Sequence, residues 1–357
     1  MELLMSDEAA CVGVKPAASQ KGAACPKDLA CLKGIASPCE NRSQLKKQSY
    51  ALRSLVAMFS LTLAIGSLSS ACRAPERSIR SDRPVANAVP TALKSQPATV
   101  LTLTAIPWKK NGEQQLKLQA LAAYLQEKSG ISIQIELANS YQDATDLLVE
   151  GKVDLAYLGA FSYIKARDRN PQLEPLVAPI GKASGHSWYT SVIVVRSNSG
   201  INTLADLKGR RFSFVSPAST SGFLVPSAQL QKLSLNPEQD FGAVEYSGGH
   251  HQSAEILAAG KVDAIATDKH IYLKESKPGG LLAAGNYTII WESAPIPNGP
   301  IAISRELPAP LKVALKKAFL DAPPGFMDAN GAEVSGYSIA EDSDYDIIRK
   351  LKAALNP

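Results

Sequence analysis

Leu148-Val149-Glu150-Gly151-Lys152-Val153-Asp154-Leu155-Ala156 returns later in the chain as Leu257-Ala258-Ala259-Gly260-Lys261-Val262-Asp263-Ala264-Ile265. Each copy reads as the end of a helix, then a glycine, then a Val-Asp pair that opens a strand. Glycine at that place adopts the left-handed backbone that closes a helix, at little steric cost. Any helix-to-strand unit can converge on helix–Gly–strand, but the shared Gly-Lys-Val-Asp exceeds what that pattern requires. A unit that recurs once is not a solenoid. It predicts an α/β protein with two similar lobes.

The text around the first copy supports this. Val100–Ala105 is a buried strand, and Leu116, Leu118, Leu121, Ala122 and Leu125 fall at helical spacing across 113–128. Residues 131–137 alternate as a second strand, 141–150 form a helix and 154–158 a third strand. Strand–helix–strand–helix–strand at short spacing implies a parallel sheet covered by helices. Ser191–Arg196 is a strand at the passage between lobes, and a second passage is expected from 288–291 through 300–303. Helices over 309–321 and 343–355 return to the first lobe. The expected boundaries are 99–192 for the first lobe, 193–290 for the second, and 291–357 for the second crossing and return. Two crossing strands make a hinge, and the cleft they leave is a preferred place for a ligand.

The chain has 357 residues, 45% hydrophobic and 20% charged, which suits two globular domains. Much of the net charge of +5 sits early, at Lys46, Lys47, Arg53, Arg73, Arg77, Arg80 and Arg83. No basic run interleaved with aromatics suggests nucleic-acid binding. All 5 cysteines, Cys11, Cys25, Cys31, Cys39 and Cys72, precede the regular part and form no C-x-x-C pair. A zinc or iron–sulfur site is therefore not expected.

Residues 46–72 read as a signal peptide, with a basic start and an apolar stretch over 55–68 that is short for a membrane span. Its end, Leu68-Ser69-Ser70-Ala71-Cys72, resembles a bacterial lipobox, with Ser69 where leucine is usual. Cleavage after Ala71 without a lipid is the alternative. An unpaired cysteine in an exported protein favours lipidation of Cys72. Residues 1–45 fit no targeting pattern and are assigned no fold; a mis-assigned start codon would account for them. Residues 73–98, with Pro75, Pro84, Pro90 and Pro97, have the composition of a flexible tether.

Two segments have the chemistry of an anion site. In Phe214-Val215-Ser216-Pro217-Ala218-Ser219-Thr220-Ser221-Gly222-Phe223, three hydroxyls precede an apolar helix running to about Leu233. A helix start offers free N–H groups and a positive partial charge, and the hydroxyls add neutral donors. Ordinary N-capping explains the same residues equally well. In Tyr246-Ser247-Gly248-Gly249-His250-His251-Gln252, the glycines allow close backbone approach and His250 stands at a helix start. The four histidines, His186, His250, His251 and His270, have no acid at ligand spacing, so no metal is expected. Ser219 lacks a nucleophile elbow, and no H-E-x-x-H, Walker loop or paired glycosidase carboxylates occur. The expectation is a binding protein with no cofactor rather than an enzyme.

In this order, Gly151–Tyr163, Asp206-Leu207-Lys208-Gly209, Ser219-Thr220-Ser221-Gly222, Gly249-His250 and Gly260-Lys261-Val262-Asp263-Ala264 resemble the phosphate/phosphite/phosphonate-binding proteins of ABC importers, over about residues 100–340. The resemblance implies the type II periplasmic-binding fold and an exported protein, periplasmic or at the cell surface. It would work with a permease and an ATPase, and Cys72 would supply a lipid anchor. It implies an oxyanion site at Ser219, Thr220, Ser221 and Gly222 with their helix-start amides, at His250, and at Tyr141 and Tyr189. Asp268 is expected to accept a hydrogen bond from a protonated ligand oxygen.

Relatives that bind aminoalkylphosphonates hold the amine with carboxylates at positions that fall here on His270 and Gly299, which points to a small ligand without an amine. Tyr141, Tyr163 and Tyr189 are candidates for an aromatic wall. The expected order is phosphite, then methylphosphonate, then phosphate. Ala160 stands where the family often has proline. A ligand-sensing receptor of the same fold, working with a separate signalling chain, and binding of another small anion are the alternatives.

Overall fold

A computed structural model describes residues 99–109 and 112–355. The expectations for residues 1–98, including the signal peptide, Cys72 and the tether, lie outside the described residues. Among the described residues, no helix is long and apolar enough to cross a membrane.

The first lobe opens with β1 (Val100–Ala105), α1 (Glu113–Ser129), β2 (Ser132–Ile135), α2 (Tyr141–Val149), β3 (Leu155–Tyr157), α3 (Ala160–Arg169) and β4 (Leu173–Gly181). The short strand β5 (Trp188–Tyr189) leads into the second lobe. There follow β6 (Ser191–Arg196), β7 (Arg211–Phe214), a π-helical turn at Thr220–Leu224 continuing into α4 (Val225–Lys232), and α5 (Pro237–Asp240). The lobe ends with β8 (Ala243–Tyr246), α6 (His250–Ala258), β9 (Ala264–Asp268), α7 (Lys269–Glu275) and β10 (Tyr287–Glu292). The strand β11 (Ile296–Pro297) returns the chain to β12 (Ile301–Ser304), α8 (Ala309–Leu320), β13 (Val334–Ile339) and α9 (Asp346–Leu355).

The two sheets share one plan. The first is ordered β13-β4-β12-β3-β1-β2 and the second β10-β6-β9-β7-β8. In each, a central strand pairs in parallel with two neighbours, β1 with β2 and β3, β7 with β8 and β9. In each, the next strand runs antiparallel and enters directly after a crossing: β12 in the first sheet, β6 in the second.

The repeated Gly-Lys-Val-Asp explains part of this likeness. Gly151 and Gly260 follow α2 and α6 with φ of 69° and 74°. The aspartate then pins the third strand to the central one. Asp154 Oδ2 accepts from Thr102 N–H at 2.8 Å, and Asp263 Oδ2 accepts from Arg211 N–H at 2.9 Å.

The passage between lobes differs from the sequence reading. The crossing strands are β5 and β11, which pair with each other as a two-stranded ribbon, Tyr189 opposite Ile296 and Trp188 opposite Pro297. Ser191–Arg196 lies wholly in the second sheet and Ile301–Ser304 wholly in the first. Both are apolar strands buried on both faces except at their last residue, so each needs a full sheet around it. The last helix differs too. α9 packs against α3 of the first lobe and also against α4 of the second, with Leu351 beside Tyr189, Val225 and Ile296.

The core of the first lobe gathers Leu103, Leu121, Leu125, Leu155, Phe319 and Tyr345. In the second lobe the alternation of β6 sends Ile193 and Val195 to one face with Phe212, and Val192 and Val194 to the other with Leu257.

Candidate functional site

The hydroxyl segment lies where the lobes meet. Ser219 caps the helix, its Oγ accepting from Gly222 N–H at 3.0 Å. The turn that follows is π-helical, with Leu224 N–H donating to Ser219 O at 3.0 Å. Such turns widen a helix start and recur at functional sites. The N-capping reading holds at Ser219, while the first amides of the turn remain outside the helical ladder.

Two contacts from α3 hold the segment against the first lobe. Phe161 N–H donates to Thr220 Oγ1 at 2.9 Å, and Ser162 Oγ–H donates to Ala218 O at 2.9 Å. Ala160 is the first residue of α3 and fully buried. Proline is favoured at that position of a helix, so alanine there preserves the geometry. From the hinge side, Ser191 Oγ–H donates to Ser221 O at 2.6 Å.

Around this segment the structure gathers the residues named from sequence. Ser219, Thr220, Ser221, His250, Asp268, Tyr141 and Tyr189 are all buried, so the lobes are closed on one another. Among the described residues, the Tyr141 hydroxyl and Ser221 Oγ have no hydrogen-bond partner. Tyr141 opens α2 directly after its cap, Ser140, and its hydroxyl lies beside Ser219 without a well-formed bond. Tyr189 comes from the hinge ribbon and lies beside Ser221 and Thr220. Burial raises the pKa of both phenols, so they stay neutral donors.

His250 opens α6 and is 1% exposed. Its Nδ1 accepts from Asp268 N–H at 3.3 Å and lies 2.9 Å from Thr267 Oγ1. An accepting Nδ1 puts the ring proton on Nε2. Burial lowers the pKa of His250 to about 3, so the ring is a neutral donor.

Gly222 is placed differently from the expectation. Its N–H is engaged by Ser219, and a Cβ on it would lie 2.3 Å from Val215 Cγ2. Glycine is needed there for the turn to pack on Val215. Tyr163 leaves the candidate wall: its hydroxyl donates to Asp342 at 2.6 Å, and its ring packs on Tyr345 at 4.9 Å, between α3 and the C-terminal segment. Gly299 is fixed by its surroundings, since a Cβ would lie 1.9 Å from Leu158 O. No side chain fits there on this backbone.

One corner of the cleft was missed. The loop between α8 and β13 brings Asp328 and Asn330 of the first lobe to Asp268 of the second. Asn330 Nδ2 donates to Asp268 Oδ2 at 3.1 Å. Asp328 Oδ1 accepts from the N–H groups of Asn330 and Ala332, each at 2.8 Å. Asp268 Oδ1 accepts from His270 N–H at 2.7 Å and caps α7. Burial raises both carboxyls above the ordinary range, and the charge of Asp268 adds to the rise at Asp328. In sequence, Asp328-Ala329-Asn330-Gly331 reads as an ordinary turn, and no local signal sets it apart. Two surface hollows, of about 290 and 490 Å³, share none of these residues.

Residues 103–345 match the family described as the periplasmic phosphonate substrate-binding protein of ABC transporters. The chain belongs to that family. It is 29% identical to the phosphate-import protein PhnD of Mycolicibacterium smegmatis, over 80% of this chain and 91% of that one. It is 30% identical to the phosphonates-binding periplasmic protein of Escherichia coli, over 55% of this chain and 58% of that one. Among solved structures, PhnD1 of Prochlorococcus marinus in complex with methylphosphonate superposes with a TM-score of 0.65, at 21% identity, over 72% of this chain and 98% of that one. A binding protein of an ABC phosphonate transporter from Pseudomonas aeruginosa superposes with a TM-score of 0.63, at 21% identity, over 72% of this chain and 86% of that one. The family member described here thus has the type II periplasmic-binding fold. It is an exported binding component of an ABC transporter, not an enzyme.

Proposed function

We propose that this protein captures a small phosphorus oxyanion between its lobes, phosphite before methylphosphonate before phosphate, and delivers it to an ABC permease. One observation supports this most: among the described residues, neutral donors converge on the cleft without a Lys or Arg ion pair at Asp268 or Asp328. The unpartnered hydroxyls of Tyr141 and Ser221 stand there with neutral His250. Buried, pre-aimed dipoles stabilise an oxyanion because no water competes and no reorganisation is needed.

In this reading Ser219, Thr220 and Ser221 cradle the anion with the first amides of the turn. His250 donates through Nε2, and Tyr141 and Tyr189 close the other side. Gly222 shapes the turn. Asp268 meets a proton-bearing corner of the ligand. A P–H corner neither donates nor accepts an ordinary hydrogen bond. Against an aromatic ring it leaves nothing unpaired, whereas a fourth phosphate oxygen there costs about 1–3 kcal/mol. Gly299, where no side chain fits, argues against an amine clamp on the second crossing. Lipidation of Cys72 would hold the protein at the membrane beside its permease.

Asp328 favours one rival inside the same class. Two carboxyls in one corner would also suit a phosphonate with an ammonium group. Competition calorimetry separates the two: the protein is loaded with phosphite and titrated with methylphosphonate, phosphate and aminoethylphosphonate. Phosphite should resist all three. Tighter binding of aminoethylphosphonate would overturn the amine-free reading, and no heat with any of them would overturn the ligand class.

A further inference from the structure

The acid corner holds two carboxyls, and the one basic side chain in ion-pair range among the described residues is His270, its Nδ1 3.7 Å from Asp268 Oδ1 and a cation only when protonated. Among the described residues, neither Asp268 nor Asp328 has a Lys or Arg ion-pair partner. The nearby Lys269 turns outward, its Nζ 2.7 Å from both Glu292 oxygens. Asn330 ties the two acids together, its backbone N–H on Asp328 and its side-chain amide on Asp268.

The other titratable groups around the pair are neutral. His250 and His270 face it from α6 and α7, and burial lowers the pKa of each. Tyr141 and Tyr189 face it from α2 and the hinge, Tyr157 and Tyr337 from β3 and β13, and burial raises all four. The cap position of Asp268 on α7 favours its charge, but that helix has only seven residues and burial outweighs it. Two ionised carboxyls confined together in a buried corner repel, and such a pair is stable only when it holds a proton.

We propose that Asp328 is a specificity-determining residue: with Asp268 it forms a proton-sharing pair across the cleft, so the protein captures its oxyanion together with one proton. The proposal rests on the oxyanion reading above and deepens it. With the lobes apart, solvent hydrates both carboxylates and they ionise independently. Closure brings them together beside an incoming anion, and the pair takes up a proton. That proton belongs to the pair rather than to either residue. It lies where it can be donated to a ligand oxygen. A doubly ionised ligand therefore binds only with proton uptake, and affinity falls as pH rises.

Calorimetry on the full exported chain tests this, with phosphite, methylphosphonate and phosphate as probes. Titrations run above each probe's second ionisation, in two buffers of different ionisation enthalpy, count the protons taken up. Uptake of about one proton per ligand is expected for the wild type, and clearly less for Asp328→Asn. The asparagine keeps an oxygen for the N–H groups of Asn330 and Ala332, and thermal melting checks its fold. Equal counts in the two proteins, or no uptake with a probe that binds, overturn the proposal. If no probe binds, the oxyanion reading fails and the proposal, which rests on it, falls with it; binding without proton uptake overturns the proposal alone.

Discussion

The two faces of the cleft are built in opposite ways. The second lobe presents a short contiguous run, Ser219-Thr220-Ser221, and His250 at a helix start, all neutral and all donors. The first lobe adds Tyr141 on one side and, on the other, a loop that carries Asp328 and Asn330 to Asp268. One face attracts negative charge and the other resists it. The difference teaches that selectivity in such a cleft need not come from a matching positive group. On the proposed reading, a set of donors would fix where the anion sits, and an acid corner would fix which corner must carry a proton.

The largest effect is expected where an acid is added at the hinge. Gly299→Asp should destabilise the fold by on the order of 3 kcal/mol, because its Cβ meets Leu158 O at 1.9 Å. Thermal unfolding at wild-type temperature would show that the backbone yields and that the acid corner can be extended to the second crossing. On the donor face, Ser221→Ala should weaken binding of phosphite by about 1.5–3 kcal/mol, the loss of one hydrogen bond to a charged ligand. The fold should be unaffected, since that hydroxyl has no protein partner. An unchanged dissociation constant would remove Ser221 from the cradle.

His250 offers a pH test of the same face. Its pKa falls from the ordinary 6.5 to about 3 in the folded chain, so its contribution is fully present above 6.5 and is lost as pH falls towards 3. In that window wild type should lose about 1.4 kcal/mol per pH unit relative to His250→Gln. The acid pair has the opposite sign, since raised carboxyls favour the fold at low pH, and it is common to both proteins. Parallel melting curves against pH would mean that His250 is not held neutral.

Across the cleft, Asn330→Ala should cost about 1 kcal/mol of affinity by cutting one bond between the lobes. Scattering profiles with saturating phosphite should still show closure. No change in affinity would detach this loop from binding. The smallest effect belongs to Tyr163→Phe, which should lose about 1 kcal/mol of stability with its bond to Asp342 and leave affinity unchanged. A weaker complex would return Tyr163 to the wall.

The donor face was legible because its residues are neighbours in the chain and sit at a strand-to-helix turn. The doubled Gly-Lys-Val-Asp was legible for the same reason, and each copy performs the same local task. The acid corner was not, because Asp268 and Asp328 meet only after the chain has crossed back through the hinge. β4 escaped notice because Pro175 and Pro179 lack N–H groups, which argues against a central strand. The sheet absorbs Pro175 through an irregular register between Ile301 and Ala302. The direction of Tyr163 was not legible, because the sequence does not fix where its ring points and its partner, Asp342, lies far along the chain.

The hinge ribbon is only two residue pairs long, and Tyr189 lies on it. Points near an axis of rotation travel least. As the lobes part, Tyr189 keeps its place beside Ser221, whose carbonyl is tied to Ser191 just past the ribbon. Tyr141, Asp328 and Asn330 swing away on a longer radius. On the proposed reading the open protein would still carry half of a mould, and an arriving ion would find its seat before the lid with the proton-holding corner came down.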